Sequence, residues 1–397
     1  MVPTVVVKPG HVQPIWAGHP WVFAQAVERV QGGAEPGGEV EVVDGRGNVL
    51  GRGLYSPRSA IRVRLFTRGP NRPIDAETLA GALGRAVERR SALGLPSPDT
   101  DAYRLVHAEG DDLPGLVVDR YGSDCVVQFG TIGIKQREHI VYETLTKELA
   151  PRAIVDASSP AIAKREGFQP DGGVARGDTD LRELRFTERG LKFAVPLDLA
   201  QKTGFYLDQR PLRARVEALA ANRDVLDCYS YVGAVALSAA RGGAKRVEAV
   251  DSSALAIEVA AENAELNGLS GRVSFRRGEA IEALHHAGRH GGFDLVICDP
   301  PKLAARRSAK EAALKMTRRV AAGACQATKP GGLLLLSSCS AAINLADLTR
   351  SAALGARDVG TRPLVLERLF QGPDHPVPAA FPEGLYLSSL LLQVIPL

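Results

Sequence analysis

Val225-Leu226-Asp227-Cys228-Tyr229-Ser230-Tyr231-Val232-Gly233 decides the fold of this 397-residue chain. An apolar strand runs onto a carboxylate, a turn follows, and a helix is expected from Val232 to Arg241. The same unit recurs downstream. Strand Lys245 to Asp251 precedes helix Ala254 to Leu266, and strand Phe293 to Cys298 precedes helix Ala309 to Ala327, before a last strand at Gly332 to Ser337. Strands alternating with helices imply a parallel, doubly wound α/β sheet. Ligands in such sheets sit at the carboxyl ends of the strands. Asp227, Asp251 and Asp299 each close a strand, and Glu279 follows another at Val273 to Arg276. One such acid is commonly a helix cap or a solvated loop residue; four in register point to a shared ligand.

The first turn lacks the G-x-G-x-x-G that lets a pyrophosphate approach a helix, which counts against NAD or FAD. The acids suit a cofactor rich in donors and free of phosphate. S-adenosylmethionine (SAM), with its ribose diol, adenine amino group and ammonium, fits that description. Asp251 is placed to accept the ribose hydroxyls, as acids after a second strand do in dinucleotide sites. Gly233 serves either the cofactor or plain helix–strand packing.

Asp299-Pro300-Pro301-Lys302 is the sharpest local signal. Two prolines after a strand stiffen the backbone and remove two amide donors, so carbonyls and a carboxylate are held toward a flat polar group. Cys339, in Ser337-Ser338-Cys339-Ser340, ends a neighbouring strand in a polar setting that suits a nucleophilic thiolate better than a core. The other cysteines, Cys125, Cys228, Cys298 and Cys325, read as structural; alternation turns Cys298 away from Asp299. No C-x-x-C spacing suggests a metal. Lys302, Arg306 and Lys310 share a helix face at i, i+4, i+8 spacing, which is either a solvated face or a phosphate contact.

Upstream, residues 1–70 read as short strands parted by Gly and Pro, with a hairpin at Asp44-Gly45-Arg46-Gly47. Arg62 and Arg64 alternate with apolar residues, so a small β-barrel with one basic face is expected. Residues 74–185 read as a small α+β region in which Gln169 to Thr179 is a loop, and residues 186–397 as the doubly wound domain. The formal charge of +4 is mild, so nucleic-acid contact must come from local clustering of basic residues. Met1-Val2-Pro3-Thr4 does not resemble a signal peptide and no apolar run is long enough for a bilayer, so the cytoplasm is expected.

Several stretches together resemble one family, the bacterial 23S ribosomal RNA large-subunit cytosine-5 methyltransferases with an N-terminal PUA domain. They are Gly18-His19-Pro20-Trp21-Val22-Phe23, Gln201-Lys202-Thr203-Gly204-Phe205-Tyr206-Leu207-Asp208-Gln209-Arg210, Val250-Asp251-Ser252-Ser253, Asp299-Pro300-Pro301-Lys302, Ser338-Cys339-Ser340, Asp374-His375-Pro376-Val377 and Phe381-Pro382-Glu383-Gly384. The resemblance covers almost the whole chain. It implies a PUA domain, a middle α+β domain and a Rossmann-like class I SAM methyltransferase domain. It also implies Cys339 as nucleophile at C6 of cytosine, with Asp299 holding the base edge or the cofactor. The expected cofactor set is Asp227, Tyr229, Gly233, Asp251, Ser252, Glu279 and Asp299, with Thr203 and Phe205. The expected RNA contacts are Lys302, Arg306, Lys310, Arg62 and Arg64. Ribosomal RNA or an assembling large subunit is the expected partner, no membrane is involved, and a homodimer is left open.

Two departures stand out. Many RNA cytosine-5 methyltransferases carry a second cysteine after the prolines, where this chain has Lys302. Relatives also favour Phe-Cys-Tyr-Thr-Gly-Gly in the first turn, against Cys-Tyr-Ser-Tyr-Val-Gly here. The rival readings are a nitrogen methyltransferase, such as one acting at guanine N7, a non-catalytic ribosome-assembly factor, and a small-molecule methyltransferase.

Overall fold

In the computed structural model the described residues are 2–69, 72–199, 203–301, 310–340 and 342–397. The chain divides into two compact units. The first comprises Met1–Glu188, Pro196–Phe205 and Pro373–Gly384, and the second Arg189–Val195, Tyr206–Gly372 and Leu385–Leu397. Regions 1–70 and 74–185 thus fall in one unit, joined by two segments from later in the sequence.

The first unit begins with a six-stranded sheet ordered Trp21–Phe23, Ile61–Thr67, Val49–Tyr55, Glu39–Val43, Thr4–Val7, Val27–Gln31. Alternation along these strands buries Val5, Val7, Val40, Val42, Val63 and Leu65 in one core. The Asp44 hairpin forms because its carboxylate accepts the N–H groups of Arg46 and Asn48, at 2.8 and 2.9 Å.

A five-stranded sheet follows, ordered Gly173–Gly177, Ala153–Asp156, Asp124–Phe129, Leu116–Tyr121, Ala102–His107. Its edge strand, Gly173–Gly177, lies inside the stretch expected to be a loop. That strand is held by backbone pairing to Ala153–Asp156 and has no buried side chain, so no apolar pattern announced it.

Helix Ala76–Ala92 packs on the same core, capped by Asp75, whose carboxylate accepts the Thr78 N–H at 2.9 Å. It carries Arg90, which is wholly buried. The Arg90 guanidinium donates to both oxygens of Asp111, at 2.6 and 2.8 Å, and to the Asp374 carbonyl at 2.7 Å. The Asp374 carboxylate in turn accepts the Arg104 N–H at 3.0 Å. A buried cation must be fully bonded, and this one draws the segment Pro373–Gly384 into the first unit.

The second unit is one seven-stranded sheet: β1 (Asp224–Cys228), β2 (Arg246–Asp251), β3 (Val273–Arg277), β4 (Phe293–Cys298), β5 (Thr328–Ser338), β6 (Thr361–Phe370) and β7 (Ser388–Pro396), in the order β3-β2-β1-β4-β5-β7-β6. β1 to β5 are parallel, and β7 runs antiparallel to both β5 and β6. Leu226, Val250, Val296, Leu334 and Leu336 form the centre of its core, under helices Ala280–Arg289, Lys310–Ala327 and Leu345–Asp358. The strand order reverses between β1 and β4, which places a binding crevice outside their carboxyl ends. Among the described residues no helix is long and apolar enough to cross a membrane.

Candidate active site

β1 and β4 pair in register, Asp227 beside Ile297 and Cys228 beside Cys298. Asp227 and Asp299 therefore emerge at the same end of the sheet. Asp227 is 2% exposed, and its Oδ2 has no hydrogen-bond partner among the described residues. Burial, then the charges of Asp299 and Asp251, push its carboxyl well above the ordinary carboxylate range, against the N–H of Ala236. The Ser230 Oγ, in the turn that follows, is likewise buried without a partner. Two orphaned polar atoms beside converging carboxylates call for a ligand that is cationic and rich in donors.

The turn itself has left-handed backbone at Tyr229 (φ +66°), Tyr231 (φ +49°) and Gly233 (φ +80°). Glycine is the usual residue there, because a side chain costs about 1–2 kcal/mol in that region. The strain is held by Asp251. One of its oxygens accepts the Tyr231 N–H and the other the Ser253 N–H, each at 2.9 Å. The sequence lacks the glycine-rich motif, yet the backbone takes an unusual, glycine-like course at two tyrosines. A Cβ at Gly233 would meet Phe275 at 3.0 Å and Ala260 at 3.1 Å, so this glycine serves close packing at the helix start as well as the turn.

Glu279 precedes helix Ala280–Arg289 and is exposed, and its charge reaches the Tyr229 hydroxyl. Ser252 is exposed beside Asp251, its carbonyl accepting from Arg277 at 3.3 Å. Both lie at the carboxyl end of the sheet, just after β2 and β3.

Thr203 and Phe205 belong to the first unit. Both are buried in the first unit, where Phe205 packs on Phe186 at 5.0 Å and donates its N–H to the Tyr121 hydroxyl at 3.1 Å. Thr203 lines a cavity of about 810 Å³ there, with Val126, Val155 and Leu181. Their motif is split between two cores.

Tyr206 and Gln209, from the same motif, belong to the site and were not singled out from the sequence. The Gln209 amide donates to Asp299 Oδ2 at 2.5 Å. The Tyr206 hydroxyl is pushed up by burial, then by Asp299, Tyr231, Cys339 and Asp208, which puts it in the field of both expected catalytic groups. Its ring meets that of Tyr231 edge-on at 5.6 Å. Asp208, between them, accepts from Tyr386 Oη at 2.6 Å and through its carbonyl from Gly372 N–H at 2.9 Å, anchoring the turn to the sheet.

Cys339 directly follows β5 and is half-buried, whereas Cys125, Cys228, Cys298 and Cys325 are buried. A hydrogen bond with Cys228, then burial, drives the Cys298 thiol well up. Burial pushes Cys125 up to about 12 and Cys325 to about 11. None of those three forms a thiolate readily.

The expected basic contacts fare unevenly. Arg64 is nearly buried, with Glu109 at 3.8 Å and Glu166 at 3.9 Å, so its charge is largely balanced inside the fold. Arg62 is half-buried and donates to the Pro57 carbonyl. Lys310 pairs with Asp347 at 2.6 Å. Lys302 and Arg306 lie outside the described residues.

Residues 5–68 match the PUA-like domain family, and residues 141–386 match the S-adenosylmethionine-dependent methyltransferase family. The chain is 35% identical to the ribosomal RNA large subunit methyltransferase I of Erwinia tasmaniensis over 397 residues, covering all of both chains. It is equally similar to the Klebsiella pneumoniae enzyme of that name, covering 100% of this chain and 99% of the other. Among solved structures, a methyltransferase complexed with SAH superposes with a TM-score of 0.86 at 18% identity, over 99% of this chain and 100% of that one. A Streptococcus mutans protein described as a SAM-dependent methyltransferase gives 0.84 at 18% identity with the same coverage. These two show the fold.

Proposed function

The chain belongs to the SAM-dependent methyltransferases of the ribosomal RNA large subunit methyltransferase I type, and from that membership we propose that it methylates carbon 5 of a cytosine in large-subunit ribosomal RNA, in the cytoplasm, with Cys339 as nucleophile. The observation that carries the mechanism is that Cys339, alone among the five cysteines, is not buried, beside a tyrosine that also feels Asp299.

Carbon 5 of cytosine is not nucleophilic by itself. Addition of the Cys339 thiolate to C6 makes C5 electron-rich, so C5 can accept a methyl group. Bound SAM supplies that methyl as an electrophile. Transfer of the C5 proton to water then lets the C–H electron pair restore the C5–C6 double bond as the C6–S bond breaks and the Cys339 thiolate leaves. Asp299, which accepts from Gln209, would accept from the exocyclic amine of the base. Asp227, Asp251 and the strained turn between them would hold the cofactor's cationic and hydroxyl groups. The target base must leave its stack, which is cheapest in looped or single-stranded RNA.

Cys339→Ala should abolish turnover while SAM and RNA binding persist. RNA carrying 5-fluorocytosine should trap a covalent complex with the native chain, because fluorine cannot leave as a proton does. Full activity of Cys339→Ala, with 7-methylguanine as product, would replace this reading with a nitrogen methyltransferase.

A further inference from the structure

Trp16 is 78% exposed, the most exposed large apolar side chain among the described residues. It ends the five-residue helix Val12–Trp16, in which only Ile15 is buried. The chain has two tryptophans, and the other is built into the fold. Trp21 donates its Nε1–H to Glu109 at 2.7 Å and packs on Phe381 at 4.6 Å. Among the described residues no ring or cation packs on Trp16. An indole left this open loses the hydrophobic gain of burial unless something covers it.

The surroundings say what. Residues 1–74 hold nine Lys and Arg against five Asp and Glu, an excess equal to that of the entire chain. No acid occurs from residue 1 to 27 or from 45 to 74. Several of these cations are internally neutralised, Arg52 by Glu39 and Glu41 and Arg64 by Glu109 and Glu166. The two that bracket the Trp16 helix are not. Lys8 precedes it, exposed, with its ammonium on the Gln25 carbonyl at 2.9 Å. Arg68 closes its far end, donating to the carbonyls of Ile15 at 3.1 Å and Gly18 at 2.6 Å. Among the described residues no carboxylate comes within ion-pair distance of either; Asp112 acts on Arg68 only from further away. A cation held by carbonyls keeps its full charge while its position is fixed.

We infer that Trp16, bracketed by Lys8 and Arg68, is a stacking platform for an unpaired base of the RNA substrate, with the two cations taking the flanking phosphates. The inference rests on the RNA reading above and adds to it a contact outside the catalytic unit. Aromatic faces accept any base, and flanking cations track the backbone. Because Arg68 ties down the helix end, the indole is pre-positioned and little freedom is lost on binding.

The test is binding of a naked large-subunit ribosomal RNA transcript. Trp16→Ala should weaken affinity roughly 5- to 150-fold, and Trp16→Phe, which keeps a ring face, should lose far less. Tryptophan emission of the native chain should be quenched by the RNA, and that quench should vanish in Trp16→Phe. A native circular dichroism spectrum and an unchanged urea midpoint in both variants show that the first unit is folded. Unchanged RNA affinity in Trp16→Ala, or native emission indifferent to bound RNA, overturns the platform and leaves the catalytic reading standing. A loss seen on ribosomal particles but not on naked RNA also overturns it, because the patch would then meet protein. A native chain that binds no RNA overturns both.

Discussion

Replacing Asp227 by asparagine should stabilise the cofactor-free chain and weaken its hold on SAM. The two effects share one cause. In the folded chain this carboxyl is raised well above its ordinary value of 3.8, first by burial and then by Asp299 and Asp251. A raised acid binds its proton more tightly folded than unfolded. Its contribution is therefore fully present below the ordinary carboxylate range and is lost as pH rises toward the folded value. Across that window the loss runs at about 1.4 kcal/mol per pH unit. Asparagine binds no proton, so its stability advantage over the native chain should grow at about that rate and then level off. Urea unfolding from about pH 4 to pH 8 measures the difference directly.

Cofactor affinity should move the other way. A cationic ligand favours the carboxylate, so binding to the native chain should release a proton and tighten as pH rises through the same window. Asp227→Asn should bind SAM roughly 10- to 150-fold more weakly, the worth of a hydrogen bond to a charged group, and without that pH dependence. Calorimetry in two buffers of different ionisation heat would show the proton. A variant destabilised equally at every pH, with native SAM affinity, would refute the argument and leave Asp227 a purely structural acid.

Gln209→Leu should lower kcat roughly 10- to 150-fold by releasing Asp299, with SAM affinity nearly native, as single-turnover assays and calorimetry would show. Asp111→Ala should destabilise the first unit by about 3–5 kcal/mol, because it strands the buried Arg90 guanidinium; denaturant unfolding measures this. Brief alkylation of the native chain should label Cys339 and spare Cys125, Cys298 and Cys325, whose thiols are buried and raised; peptide mass mapping would reveal the pattern.

Helix Ala254–Leu266 and strand Phe293–Cys298 begin and end where their apolar spacing puts them, because local periodicity and capping set both. That Asp227, Asp251, Asp299 and Cys339 lie at strand ends was legible for the same reason. A residue at a strand's carboxyl end is at the crevice once the sheet is doubly wound. Strand Gly173–Gly177 was not legible, since an exposed edge strand needs only a backbone partner. The Arg62–Arg64 alternation was read correctly as one face of a strand. Which of the two arginines keeps its charge depended on Glu109 and Glu166, distant in sequence.

By itself, then, the sequence determined the α/β class, the strand-end acids and the cysteine in a polar setting, all of them consequences of short-range pattern. Tertiary structure decided the rest. It divided one continuous motif, burying Thr203 and Phe205 in the first unit and bringing Tyr206 and Gln209 to Asp299 in the second. It bent Tyr229 and Tyr231 into left-handed backbone that Asp251 holds through the Tyr231 N–H. It also drew Pro373–Gly384 to a buried arginine far back in the chain. The physical reason is the same in each case. A buried polar group must find a partner, and which partner lies within reach is settled only when the chain has closed on itself.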